Sequence, residues 1–366
     1  MTFFTFKKID MNLKPKKNQH DVHNHNRRKF MKLLGMALAA ATAPKFILAG
    51  KSIGWFAENS IPTATGKISP SQMGITSIHE HIALQADAAQ KEKSMAFAIS
   101  ELKKAKEFGL QTIVDVNPNR DAAGIREVSL ASGVNVVCCT GYYVLTKQQQ
   151  TLTIEECENH MAKEIEQGIG ETKIRPGVIK IATKGLPITQ AEKNVFIAAA
   201  HIQQRYKIPI CTHAVSGCAE QQLILEEAGA NLAHCYFSHV EATFGWSGRT
   251  TEQEIDYLET VVKKGSTLSF NNFGNWNHTK PEDLAKIIRE LTKRGYDNNM
   301  VATMDLTWSF ENGDLKVLWS DTNVDGKDRT YSYLLRKALP WMKENGIPEK
   351  SINKFILDNP KRIFTW

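Results

Sequence analysis

Eight short apolar runs, separated by longer stretches of helical periodicity, restrict this chain to an α/β fold with a parallel sheet. The runs lie near residues 73–79, 111–116, 134–140, 176–182, 208–212, 232–238, 266–270 and 300–304. Several are rich in Val and Ile without polar alternation, the pattern of strands covered on both faces. Between them, residues 94–108, 154–167, 190–205 and 281–294 carry apolar side chains at helical spacing. Gly109, Gly133, Gly229 and Gly265 stand where helices hand over to strands. The alternation predicts a (β/α)8 TIM barrel over residues 51–366, with a doubly wound open sheet as the competitor. Residues 51–72 read as an irregular lead-in. The polar stretch 311–330 reads as a substrate-shaping loop after the last strand.

The residues at the ends of these runs favour closure. His79, His81, Lys180, His213, His239 and Asp305 all fall at or near the C-terminal ends of predicted strands. A closed barrel brings its first and last strands to one mouth, where barrel enzymes place their chemistry, and an open sheet does not. His79 and His81 are two apart, so on a strand their imidazoles leave the same face and can grip one ion. Lys180 sits in Gly177-Val178-Ile179-Lys180-Ile181-Ala182, otherwise apolar, where a bare ammonium is costly to bury. Two readings are open for it. One is an ion pair with a carboxylate. The other is carbamylation by CO2, which makes the lysine an anionic ligand able to bridge two metal ions.

Ser77-Ile78-His79-Glu80-His81, Ile179-Lys180-Ile181-Ala182-Thr183, Cys211-Thr212-His213, Phe237-Ser238-His239 and Thr303-Met304-Asp305 resemble, in order and spacing, the motifs of the phosphotriesterase family of the amidohydrolase superfamily. Asn119-Arg120-Asp121, Thr140-Gly141-Tyr142-Tyr143 and the closing Asn359-Pro360-Lys361-Arg362-Ile363-Phe364 are also similar to family segments. The resemblance covers roughly residues 70–366. It implies a binuclear centre with zinc as the usual metal. His79, His81 and Asp305 would hold the more buried ion, and His213 and His239 the more exposed one. A carbamylated Lys180 and a hydroxide would bridge the two. The bridging hydroxide would attack the substrate, with Asp305 accepting its proton. Nitrogen and oxygen ligands also accept Mn, Co or Fe. Tyr143 occupies the position where lactonase-like members carry a tyrosine and the paraoxon-hydrolysing type a tryptophan.

Two departures bear on substrate. Members of the family often carry Asp-Arg or Asp-His after the seventh strand, where this chain reads Ser269-Phe270-Asn271-Asn272-Phe273. Three residues beyond His239 an aspartate is common, and here stands Ala242 beside Glu241. That argues against a carboxylate–histidine relay of the paraoxon-hydrolysing type. Trp246, Phe273, Trp276, Trp308 and Trp319 fall in the predicted mouth loops and suggest an apolar or acyl substrate portion, with some of them serving as packing. His278 is a candidate substrate contact, His234 a core or supporting residue, and His160 and His201 helix-surface residues. The expected activity is hydrolysis of a lactone or carboxylic ester, with phosphotriester or phosphodiester hydrolysis as the alternative. A non-catalytic metal- or ligand-binding barrel is the rival of another class.

The net charge of +7 misleads about partners. Residues 1–50 hold ten Lys/Arg against two Asp/Glu, which leaves the remainder close to neutral. The folded body therefore offers no basis for nucleic-acid binding. The leader itself, with Arg27-Arg28-Lys29-Phe30 before an alanine-rich stretch ending at Ala43, resembles a twin-arginine export signal. It predicts a periplasmic protein, with cleavage after Ala43 or near Ala49–Gly50. The apolar stretch is too short for a membrane span. The six cysteines form no CxxC pair and mostly lie in apolar runs, where thiols behave as small hydrophobes; a Cys211–Cys218 bridge is the open alternative. The resemblance also implies a homodimer.

Overall fold

The computed structural model describes residues 60–84, 88–215, 217–276, 279–311, 314–318 and 328–366. The leader, Trp319 and His278 lie outside them, as does the side chain of Trp246.

The predicted barrel is present. Its eight strands are β3 (Ile75–Glu80), β4 (Leu110–Asp115), β5 (Asn135–Gly141), β6 (Val178–Ala182), β7 (Ile210–His213), β8 (Cys235–Ser238), β9 (Thr267–Phe270) and β10 (Met300–Ala302). They are hydrogen-bonded in sequence order, each parallel to the next. The first and last strands meet just above their paired residues. Asp305 N donates to His79 O at 3.1 Å, His81 N donates to Leu306 O at 3.2 Å, and the Ser77 and Thr303 hydroxyls lie 2.8 Å apart. This seam closes the sheet and removes its edges.

The helices form where sequence and caps agree. Helix Pro281–Lys293 opens with Pro at its first position and Glu282 and Asp283 in its first turn, and buries Leu284, Ile287, Ile288 and Leu291 on one stripe. Helices Ile154–Gln167, Gln190–Tyr206 and Thr251–Val262 each begin with a capping box, from Thr153/Glu156, Thr189/Glu192 and Thr250/Gln253.

The barrel interior is a packed core of Ile78, Val114, Val137, Cys139, Val178, Cys211, Tyr236 and Val301. Along β6, Lys180 follows Val178 by two residues, so it shares the inward face. The pairing of β3 with β4 slips between Ser77 and Glu80. Bulges of this kind re-aim side chains, and here Ile78 joins the interior while His79 also reaches Lys180.

Three expectations are corrected. Over its described residues, 60–72, the lead-in is not irregular. β1 (Ile61–Thr63) and β2 (Gly66–Ile68) form an antiparallel hairpin, which docks on the start of β5 through Ala64 N to Val136 O at 2.8 Å. The stretch after the last strand is not simply a polar loop. β11 (Thr307–Glu311) and β12 (Asp314–Leu318) pair antiparallel, and Arg329 at the far end is fully buried. The cysteines are all buried free thiols, so Cys211 and Cys218 are not bridged.

Candidate metal centre and its supports

His79 ends its run fully buried inside the barrel. Its Nδ1 lies 2.6 Å from Ser238 Oγ, and its Nε2 faces Lys180 Nζ at 3.2 Å and Asp305 Oδ1 at 3.4 Å. His81 stands one residue beyond β3, with Nε2 at 3.0 Å from Asp305 Oδ1. His239 follows β8 and approaches Asp305 Oδ2 through Nδ1 at 3.8 Å. The His213 ring lies 4.5 Å from that of His239, and the His239 ring 4.9 Å from that of His79. The structure thus brings all six sequence-selected residues to one mouth. The ligand atoms of His79, His81 and Asp305 lie within 4.8 Å of one another, close enough to share one ion.

The electrostatics suit neutral imidazoles around a carboxylate. Burial, then the neighbouring Lys180, lowers His213 to about 3 and holds His79 well below its ordinary value. Burial also depresses His239. For Asp305 burial pushes upward, but His239, His79 and His81 outweigh it and keep the carboxyl well below the usual range. Neutral imidazole and ionised carboxylate are the forms that bind a divalent cation. Lys180 Nζ is fully buried and contacts His79 Nε2 and, at 3.8 Å, Cys211 Sγ. Among the described residues it makes no ion pair with a carboxylate, so the ion-pair reading lacks its partner.

Two of the six hold left-handed backbones, His239 at φ 63° and Asp305 at φ 52°. Non-glycine residues there cost roughly 1–3 kcal/mol each and persist only where their surroundings hold them. For His239 the holder is Asn271, whose Oδ1 accepts from His239 N at 3.1 Å. Asn271 belongs to the stretch that departs from the family pattern. Glu241 is fully buried and takes Asn272 N at 2.6 Å as well as Asn271 N on Oε1. Burial raises its carboxyl to about 7.

Sequence reasoning missed Arg329 and Tyr331. Arg329 Nε donates to Phe273 O at 2.9 Å, and Nη2 donates to Asn271 O at 2.9 Å and to Met304 O. One guanidinium thereby ties together the loops that follow β9 and β10. Tyr331 Oη donates to His81 O at 2.7 Å. No local signal marks either residue, because both act across long sequence separations. Arg329→Met removes these donors and strands the carbonyls they serve. It is expected to destabilise the protein by about 3 kcal/mol, seen as a lower urea midpoint at unchanged slope. A shift below about 1 kcal/mol would mean that other donors replace the guanidinium.

The aromatic mouth is smaller than the sequence suggests. Phe273 and Trp308 are each 1% exposed. Trp308 packs edge-on to Phe97 and Tyr331, and Phe273 to Trp341. Trp276 is half-buried, its ring 5.5 Å from Trp341. Tyr143 is 45% exposed, and its hydroxyl lies 3.5 Å from His213 Nε2, the long end of a hydrogen bond. His234 lies elsewhere, bonded through Nδ1 to Ile363 O at 2.8 Å and stacked on Trp366. His201 pairs with Glu158, and His160 packs beside Tyr142.

The model of the phosphotriesterase family matches residues 59–364, which span the barrel and every residue of this constellation. The chain belongs to the phosphotriesterase family. It is 27% identical over 320 residues to the aryldialkylphosphatase of Saccharolobus solfataricus, covering 81% of this chain and 97% of that protein. It is 29% identical over 290 residues to the N-acetyltaurine hydrolase of Dictyostelium discoideum, covering 74% of this chain and 73% of that protein. Among solved structures it resembles the organophosphorus hydrolase from Deinococcus radiodurans, with TM-score 0.74, 25% identity and coverage of 84% of this chain and 97% of that one. As a family member the protein is a hydrolase, and the family works through a binuclear metal centre. The nitrogen and oxygen donors converging at this mouth fit such a centre. No helix among the described residues is long and apolar enough to cross a membrane.

Proposed function

We propose that this protein hydrolyses a lactone or carboxylic ester outside the cytoplasm, using two zinc ions held at the barrel mouth. His79, His81 and Asp305 would hold one ion, and His213 and His239 the other. A Lys180 carbamate would lie between them. The bound ions would lower the pKa of a shared water and polarise the substrate carbonyl. Asp305 takes up the proton released by the attacking water on its carboxylate. The Tyr143 hydroxyl donates to the ester oxygen and orients the ring.

The observation that carries the lactone reading is the Tyr143 hydroxyl, turned toward His213 beside the metal ligands. The alanine at 242, where the family often carries an aspartate, supports the same reading, because the carboxylate of a paraoxon-type relay is missing there. The names aryldialkylphosphatase and organophosphorus hydrolase borne by two similar proteins favour the second reading, phosphotriester hydrolysis. The twin-arginine-like leader supports export.

One purified sample decides between the readings. Metal content is measured together with hydrolysis of lactones, aryl esters and aryl phosphotriesters, before and after chelation. About two ions per chain with chelator-sensitive lactone or ester turnover is the expected result. Phosphotriester turnover alone would replace it with the second reading. Full metal with no turnover on any class would point to a binding barrel. Tyr143→Phe is expected to lower kcat/KM for lactones about tenfold, the worth of one hydrogen bond to the reacting group, and to leave phosphotriester turnover nearly unchanged. Equal losses on both classes would remove Tyr143 as a specificity residue.

A further inference from the structure

Glu80, between His79 and His81, is fully buried. Its Oε1 accepts from Met304 N at 2.9 Å, with the Thr303 hydroxyl at 3.0 Å and the Ser77 hydroxyl closer still. Its Oε2 accepts from Leu306 N at 2.9 Å. The two backbone donors are the residues on either side of Asp305, and one carboxylate spans them. Asp305 itself has the left-handed φ of 52°, a conformation that a non-glycine residue keeps only when its neighbours are fixed. Asp305 N is held in turn by His79 O.

We propose that Glu80 is a positioning residue, whose carboxylate bridges Met304 N and Leu306 N and so aims Asp305 into the metal centre. The inference rests on the reading of Asp305 as a metal ligand and proton acceptor. Bonds to backbone groups flanking a ligand set its direction without touching the ion, and losing such supports typically weakens metal affinity or activity about 10–100-fold.

Glu80→Gln keeps the shape but turns an amide NH2 toward one of the two backbone donors. The metal-loaded variant is expected to lose about 10–100-fold in kcat with KM little changed, and one of its two ions is expected to bind about tenfold more weakly. The affinity is read without substrate, by competition with a chromophoric chelator. Ser129→Ala is the control for a merely structural effect. Its hydroxyl is buried and donates to Val134 O at 2.7 Å, just before the start of β5 and at the end of the barrel away from the mouth. It is expected to lower Tm while leaving kcat and metal affinity near wild type. Should Glu80→Gln not fold, Ser77→Ala removes one donor from the same carboxylate and is expected to weaken the same ion about threefold. Unchanged affinity and kcat in the Glu80 variant, or in Ser77→Ala where that is the one that folds, overturns the proposal. Equal losses in Ser129→Ala overturn it as well. A wild-type protein that binds two ions but hydrolyses no ester fails the proposed function instead, and the affinity comparison still reports on Glu80.

Discussion

Asp305→Asn is expected to lower kcat by about a thousandfold at saturating metal, with a smaller loss of bound ions. The substitution preserves size and one acceptor oxygen, so Met304 and Leu306 keep their bonds to Glu80. What it removes is a second basic oxygen and the negative charge facing His79, His81 and His239. A ligand that serves only to bind would be partly replaced by excess metal. A proton acceptor would not, because its deficit lies in the reacting state rather than in occupancy. Turnover and metal content measured on the same sample separate the two roles. Activity within about tenfold of wild type would assign the proton to another group.

Lys180→Met is expected to abolish hydrolysis and reverse the usual sign of a core substitution. Without metal, the wild-type ammonium is buried against His79 and Cys211, with no ion-pairing carboxylate among the described residues. Methionine of similar length removes that unpaired charge, so the metal-free variant is expected to melt at or above the wild-type temperature. With metal the order inverts. At a hundredfold excess over Kd the wild type gains about 2.7 kcal/mol from binding, which the variant forfeits. Bicarbonate is expected to promote metal uptake by the wild type and not by the variant, since only a lysine amine can take up CO2. Melting curves with and without zinc and bicarbonate read all three effects. A bicarbonate-independent wild type would remove the carbamate from the site.

The fold was legible because its signals are local. Uninterrupted Val/Ile runs, helical stripes and glycines at the turns need nothing beyond a few neighbouring residues, and the observed strands follow the predicted runs closely. The six residues of the mouth were legible for a related reason. Histidine, aspartate and lysine at strand ends stand out chemically from the apolar runs that carry them, and barrel closure then brings them together. The mouth aromatics were less legible. Whether a tryptophan in a loop faces substrate or core depends on what packs above it, and Trp308 and Phe273 proved to be core.

The sequence by itself determined the barrel, its polarity and the kinds of atom gathered at its mouth. These follow from strand periodicity and from residue type at each strand end, both written within short windows of chain. Only the tertiary structure decided how those atoms are aimed. Glu80 bridges the neighbours of Asp305 from more than two hundred residues away, Asn271 holds His239, and Arg329 binds the loops after the last two barrel strands. Each of these is a hydrogen bond between distant segments whose partner is fixed only once the sheet has closed, so no local pattern can announce it.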